Sequence, residues 1–238
     1  MRTAYTVFRN LYNVRKMTMK LVLASGSQRR RELLTMCGYD YEIIVSNADE
    51  TIDESDPENF VRALSFRKAK EVFDRLFAAG RRDFAVIGSD TVVAFQKDGE
   101  TKPVIIGKPK DAKDAVRILS MLSGKTHRVF TGVSVIADIP DENADAQCSI
   151  REKAEIQTEC SITEVTFETL SPDEITDYVN SGDPLDKAGS YGIQGPFGMF
   201  VREIRGNYFT VIGMPIPVLY KMLKKIGILP HGFYERIE

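Results

Sequence analysis

The run from Phe84 to Phe95, FAVIGSDTVVAF, leaves the chain few ways to fold. It is apolar almost throughout and rich in β-branched residues, so it reads as a buried strand. Yet Asp90 and Thr91 stand in its middle. An ionised carboxylate inside such a run is costly unless it is paired or holds a metal. The plainer alternative is a strand broken at Gly88-Ser89, with Asp90 capping a turn. The pattern points first to a functional carboxylate.

Two other stretches carry chemistry. Leu21 to Leu34, LVLASGSQRRRELL, starts as a short apolar strand over Leu21 to Ala24. It passes through Ser25-Gly26-Ser27 and enters a helix behind Arg29, Arg30 and Arg31, ending near Gly38. Backbone N–H groups, hydroxyls, a helix N-terminus and forked guanidinium donors together make a cradle for phosphate. Asp183 to Gly198, DPLDKAGSYGIQGPFG, holds four glycines and two prolines but also Lys187, Tyr191 and Gln194. That mixture reads as a rigid binding loop and not as a linker. Lys108, fixed between Gly107 and Pro109, sits on a constrained loop that can aim it at phosphate. Ser123-Gly124-Lys125-Thr126 imitates the end of a P-loop, but Leu119 stands where the first glycine belongs and the run follows a helix. A Walker A site is therefore excluded.

The remaining segments read as alternating strands and helices. Tyr41 to Val45 is a second strand, and the acidic run from Asn47 to Asp56 is a solvated loop. Asp56-Pro57 opens an amphipathic helix over 57–79. Lys97 to Pro103 is a hairpin-like excursion, and Asp111 caps a helix whose apolar face is Ala115, Ile118, Leu119 and Leu122. His127 to Ala137 is a strand, and 138–150 a polar loop. Residues 154–168 form a strand with Ile156, Thr158, Cys160 and Ile162 on one face; a bulge or turn then brings Val165 and Phe167 inward. Ser171 and Glu174 form a capping box. Phe200 to Ile204 and Tyr208 to Ile212 read as a hairpin through Arg205-Gly206-Asn207. Pro215 and Pro217 open a last helix running to Ile226. His127, beside a glycine cap, reads as a surface or supporting residue before a catalyst, with phosphate donor as the secondary reading.

Composition narrows the function. Of 238 residues, 32 are Lys or Arg and 34 Asp or Glu, a net charge of −2. No basic excess supports wrapping a nucleic acid polymer, and no apolar run approaches membrane-spanning length. Cys37, Cys148 and Cys160 are scattered and offer no metal-ligand spacing. With only His127 and His231 available, zinc and Ser-His-Asp chemistry are poorly supported. Residues 1–19 carry Arg2, Arg9, Arg15 and Lys16 and no acidic residue. They read as an N-terminal extension, which leaves a cytoplasmic protein, with a mitochondrial targeting segment as the alternative. What remains is an inventory for polyphosphate held through a divalent metal, which needs only one or two carboxylates plus phosphate oxygens. Cleaving a phosphoanhydride asks for charge neutralisation and an aligned water, and for no protein nucleophile.

These motifs, in this order over residues 20–226, resemble the Maf family of nucleoside triphosphate pyrophosphatases. The likeness rests on Leu23 to Arg30 with Glu32-Leu33-Leu34, Lys68-Ala69, Gly88 to Val93, Gly107-Lys108-Pro109, Leu122 to Lys125 with His127, Val129, Thr131 and Gly132, Asp186 to Gly189 with Tyr191 to Gly195, and Gly213-Met214-Pro215. Gln28, Ser89, Thr210 and Met214 depart from the family's usual residues. The resemblance implies an α/β fold of the Maf/inosine triphosphatase-like kind, with a mixed elongated sheet flanked by helices and two lobes around a central cleft. One catalytic domain would span 20–228, with a C-terminal tail over 229–238, in a homodimer. It implies hydrolysis of a nucleoside triphosphate to monophosphate and pyrophosphate with Mg²⁺ or Mn²⁺. Asp90 would be the general base. Asp49 or Glu50, with Asp90, would hold the metal. Ser25, Ser27, Arg30, Lys68, Lys108 and Lys187 would bind phosphate. Arg29, Thr91 and Gln194 match the dTTP/UTP subgroup, and a glutamine amide can pair with a pyrimidine carbonyl and N3–H edge. A non-catalytic nucleotide-binding regulator of cell division and a 7-methyl-GTP pyrophosphatase are the competing readings.

Overall fold

The computed structural model describes residues 19–97, 99–139 and 154–231. The N-terminal extension before Met19, nearly all of the polar loop after 138, Cys148 and most of the tail lie outside the described residues. Seven strands form one mixed sheet. Its order is β2-β1-β3-β5-β6-β7, with β4 attached to β3. β1 (Lys20–Leu23) pairs in parallel with both β2 (Tyr41–Ile43) and β3 (Phe84–Phe95). β4 (Val104–Ile106), β5 (Thr126–Ala137), β6 (Glu155–Phe167) and β7 (Val201–Arg205) continue it antiparallel. Parallel neighbours need crossovers, and α1 (Gln28–Met36) and α2 (Pro57–Ala78) supply them.

The pairing of β3 contains the feature that positions the site. β1 takes Phe84 to Ile87 and β4 takes Val93 to Phe95, so residues 88–92 have no strand on that side. On its other side β3 is paired to β5 from Ala85 to Ala94. The central strand is therefore held firmly on one edge and opened on the other, with Asp90 at the midpoint of the opening.

α2 crosses one face of the sheet in close contact. A Cβ on Gly88 would lie 2.2 Å from the Ser65 carbonyl oxygen, and one on Gly132 would lie 2.1 Å from that of Val61. Only glycine at both positions lets the helix backbone rest on β3 and β5. Asp56 starts α2 by accepting the Asn59 N–H at 2.9 Å, with Pro57 in the first turn. The opposite face is covered in two separate patches. Near β1, Leu33, Leu34, Leu219 and Leu223 pack on Leu23, Ile87 and Val135. At the far end, α3 (Ala112–Leu122) and α4 (Pro172–Asn180) pack on Phe95, Val129 and Phe167. The expected apolar face of α3 is buried, and the Ser171–Glu174 capping box is present.

Two local expectations are corrected. β6 has no bulge against β5: the register runs unbroken from Thr126↔Thr166 to Ala137↔Glu155. The apparent phase change arises because different neighbours cover the two faces at the two ends. Cys160 on one face packs toward α2, whereas Thr163, Val165 and Phe167 on the other are buried. Ile156 and Ile162 stay exposed. The register shift that does exist lies between β6 and β7, at Thr166/Phe167. Residues Tyr208–Ile212 form a short helix, α5, and not a hairpin strand. Their aromatic and β-branched side chains favour a strand, but Asn207 caps the Phe209 N–H at 2.8 Å and Gly213, at φ 107°, ends the turn. The last helix, α6 (Ile216–Lys225), follows as expected.

Candidate active site

A cleft of about 960 Å³ opens at the gap in β3. Ser25, Ser27, Arg29 and Arg30 line it from the start of α1, Glu50 from the loop after β2, and Lys68 from α2. Asp90 and Thr91 reach it from β3, Lys108 from the loop after β4, and Lys187 and Gln194 from the glycine-rich loop. Thus every residue given a site role by the family resemblance lines one cavity except Asp49. That side chain is exposed, and Asp49 Oδ1 accepts the Thr51 N–H at 2.9 Å. The Thr51 N–H and hydroxyl hold its carboxyl below the usual range.

The close seating of α2 on Gly88 and Gly132 delivers Lys68 to Asp90. Lys68 Nζ is 2.8 Å from Asp90 Oδ1 and 3.0 Å from Glu50 Oε2. Lys68 and Asp90 are both nearly buried, with side chains 12% and 11% exposed. An ion pair so placed stands largely out of water, and its partner bonds offset the cost of burying the carboxylate. The plainer alternative for Asp90, a turn cap at a break in the strand, is ruled out by the continuous β3–β5 ladder through Gly88, Ser89 and Asp90. Among the described residues, no three His, Cys, Asp or Glu side chains cluster to hold a metal unaided. Two carboxylates within reach of one cation do fit Mg²⁺ or Mn²⁺ when phosphate oxygens complete the shell.

Ser27 precedes α1 but its side chain makes no capping bond, so the hydroxyl is available to the cleft. Arg30 is fixed more tightly than a simple phosphate ligand. Its Nε donates to the Gly213 carbonyl at 2.8 Å and its Nη1 to Ser25 Oγ at 3.0 Å. Its Nη2 lies 3.4 Å from Thr91 Oγ1. Burial lowers its pKa from the ordinary guanidinium value, opposed by the Asp90 charge; it clamps the cradle to β3 and α5 while facing the cleft.

The glycine-rich loop is built from three short 3-10 turns. Lys187 Nζ is 3.0 Å from Asp183 Oδ1 and 2.7 Å from Asp186 Oδ1. Asp186 also lies 3.6 Å from Arg29 Nη1, bridging the two sides of the cleft. Burial pushes the Asp186 carboxyl up, but the Lys187 hydrogen bond and the Arg29 and Lys187 charges outweigh it and leave it low. A Cβ on Gly192 would meet Lys187 Cε at 2.6 Å, so the loop backbone lies directly on the lysine stem. Tyr178 supports both from below: its hydroxyl donates to Asp183 Oδ2 at 2.5 Å and accepts the Gly192 N–H at 3.0 Å.

Sequence reasoning missed Tyr178 and Asp183. The Asp183/Lys187 spacing of four was the available signal, since it repeats the pairing distance of neighbouring helical turns. His127 is corrected: it does not line the cleft. It is 2% exposed, packs edge-on against Phe167 and Tyr191, and holds the Tyr191 hydroxyl 3.0 Å from Nε2. Burial drives its pKa down to about 3.

A sheet opened at its centre, with a carboxylate in the opening and a basic cradle around it, defines a site for a phosphorylated ligand. The family model for Maf-like protein matches residues 20–226, and the chain belongs to that family. A protein of Bacillus thuringiensis subsp. konkukian named dTTP/UTP pyrophosphatase is 43% identical over 210 residues, covering 88% of this chain and 96% of that one. An Agathobacter rectalis protein of the same name is 40% identical over 217 residues, covering 88% and 98%. The solved structure of the Staphylococcus aureus Ham1 protein aligns at a TM-score of 0.45 and 16% identity, over 86% of this chain and 98% of that one. That likeness is too remote to bear on the chemistry.

Proposed function

We propose that this protein hydrolyses dTTP and UTP to the nucleoside monophosphate and pyrophosphate. The observation that carries the reading is the triad of Lys68, Asp90 and Glu50 in the gap of β3, inside the same cleft as the Ser25–Arg30 cradle. The names of the relatives support the same substrates.

The triphosphate would lie against Ser25, Ser27, Arg30, Lys108 and Lys187. Lys68 binds Asp90 through Oδ1, which leaves Oδ2 to accept a proton from water in the cleft. The bond from the ammonium holds the carboxylate in place and aims it, as a general base requires. Lys68 then faces the phosphate charge that grows as water attacks the α-phosphorus and the pyrophosphate leaves. Glu50 and Asp90 would hold Mg²⁺ or Mn²⁺, which when bound neutralises phosphate oxygens and acidifies water. Arg29, Thr91 and Gln194 would set the choice of base. A homodimer acting in the cytoplasm belongs to the same proposal. Incubating the purified protein with Mg²⁺ or Mn²⁺ and a nucleotide panel tests it: pyrophosphate is expected from dTTP and UTP first, and none from either would refute it. A preference for 7-methyl-GTP would overturn the assigned roles of Arg29, Thr91 and Gln194.

A further inference from the structure

Behind Thr91, which lines the cleft, hydrogen bonds run inward in one direction. Thr131 on β5 is fully buried, and its hydroxyl donates to the Thr210 carbonyl oxygen at 2.7 Å. A carbonyl only accepts, so that bond has a single direction. Thr131 Oγ1 also lies 3.0 Å from Thr91 Oγ1. With its one proton committed to Thr210, Thr131 accepts there and Thr91 donates. Arg30 has only protons to offer, so at 3.4 Å its Nη2 donates to Thr91 Oγ1. The Thr91 proton is thus drawn into the protein, and one lone pair remains for the cleft that Thr91 lines.

Ser25 has the opposite polarity. Its Oγ accepts from the Ser27 N–H at 3.2 Å and from Arg30 Nη1 at 3.0 Å. Both lone pairs are then in use, and its proton is left for the cleft. Ser25 therefore suits phosphate oxygens, which only accept. Thr91 repels them and suits a group with a proton to give. Gln194 lines the same cleft and can donate to a carbonyl. A ring that places a carbonyl beside an N–H, as uracil and thymine do, satisfies both. Cytosine, with a bare ring nitrogen at that place, does not.

We propose that Thr131 is a positioning residue that fixes Thr91 as an acceptor and thereby selects a base with a ring N–H over one without. This rests on the nucleotide-hydrolase reading above. The test is kcat/KM for UTP and CTP in the wild type and in Thr131→Val, Thr131→Ala and Thr131→Ser, with Tm recorded for each. Val and Ala remove the acceptor and free the Thr91 proton to turn toward the base. The UTP:CTP ratio is expected to fall about tenfold or more, the worth of one directional hydrogen bond. The fall should come from KM, with kcat for UTP little changed. Ser restores the hydroxyl and should restore the ratio. Ala stands in for Val if the larger side chain prevents folding. A ratio unchanged in a folded Val or Ala variant overturns the proposal while leaving the hydrolase reading intact. So does a Ser variant that behaves like Val. A wild type that hydrolyses neither nucleotide overturns both.

Discussion

Lys68 Nζ donates to Asp90 Oδ1 at 2.8 Å while remaining 3.0 Å from Glu50 Oε2. One ammonium thus holds the proposed base and the acidic loop at the same point of the cleft. Asp90→Asn is expected to lower kcat by several orders of magnitude, because an amide cannot take the proton from water. The fold should survive, since Lys68 keeps Glu50 as a partner and no buried charge is stranded. Steady-state kinetics beside a melting curve measure both. A folded Asn variant with a near-normal rate would assign Asp90 to structure alone.

The seating of α2 gives a second test. A methyl group at Gly132 would sit 2.1 Å from the Val61 carbonyl oxygen, on helix backbone that has no room to yield. Gly132→Ala is expected to cost about 2 kcal/mol or more of stability, lowering Tm by roughly 4–8 °C for a chain of this size. It should also reduce kcat, because the displaced helix carries Lys68. Gly107→Ala has open space around the new methyl group and should leave Tm in place.

Asp90 within an apolar strand, the Ser25–Arg30 cradle and the 183–198 loop were all recognisable in the sequence, because each is a local pattern. The gap between β1 and β4 was not, because it arises from which residues of β3 those two short strands happen to pair with. Nor was α5, whose strand-forming side chains are overridden by the Asn207 cap, by the Thr131 hydroxyl donating to the Thr210 carbonyl, and by the bond between the Ser161 and Thr210 hydroxyls. Arg30 was legible as a phosphate ligand, but its bond to the Gly213 carbonyl joins residues far apart in sequence.

Gln194→Glu probes the choice of base. Glutamate replaces an amide donor with an acceptor, so a pyrimidine carbonyl loses its partner and meets a negative charge. The kcat/KM for UTP is expected to fall about tenfold or more, with the preference moving toward bases that present an amino group. Unchanged relative rates across the nucleotide panel would remove Gln194 from base recognition.

Acid should weaken the fold through His127. Burial lowers its pKa from 6.5 to about 3, so the unfolded chain binds a proton that the folded chain refuses. Its contribution is complete above the unfolded pKa and is lost as pH falls from 6.5 toward 3. The expected loss from this group between about pH 7 and about pH 5 is about 2 kcal/mol. Urea unfolding at the two pH values, compared with His127→Gln, measures it. The variant should lose less stability over that interval, and an identical loss would show that His127 does not govern it.

The central claim is that water attacks the α-phosphorus and pyrophosphate leaves intact. Hydrolysis of UTP in heavy-oxygen water, with both products analysed by mass spectrometry, tests it most directly. The label is expected in UMP, with unlabelled pyrophosphate released in equal amount. Label in pyrophosphate, or release of UDP and inorganic phosphate, would contradict the account.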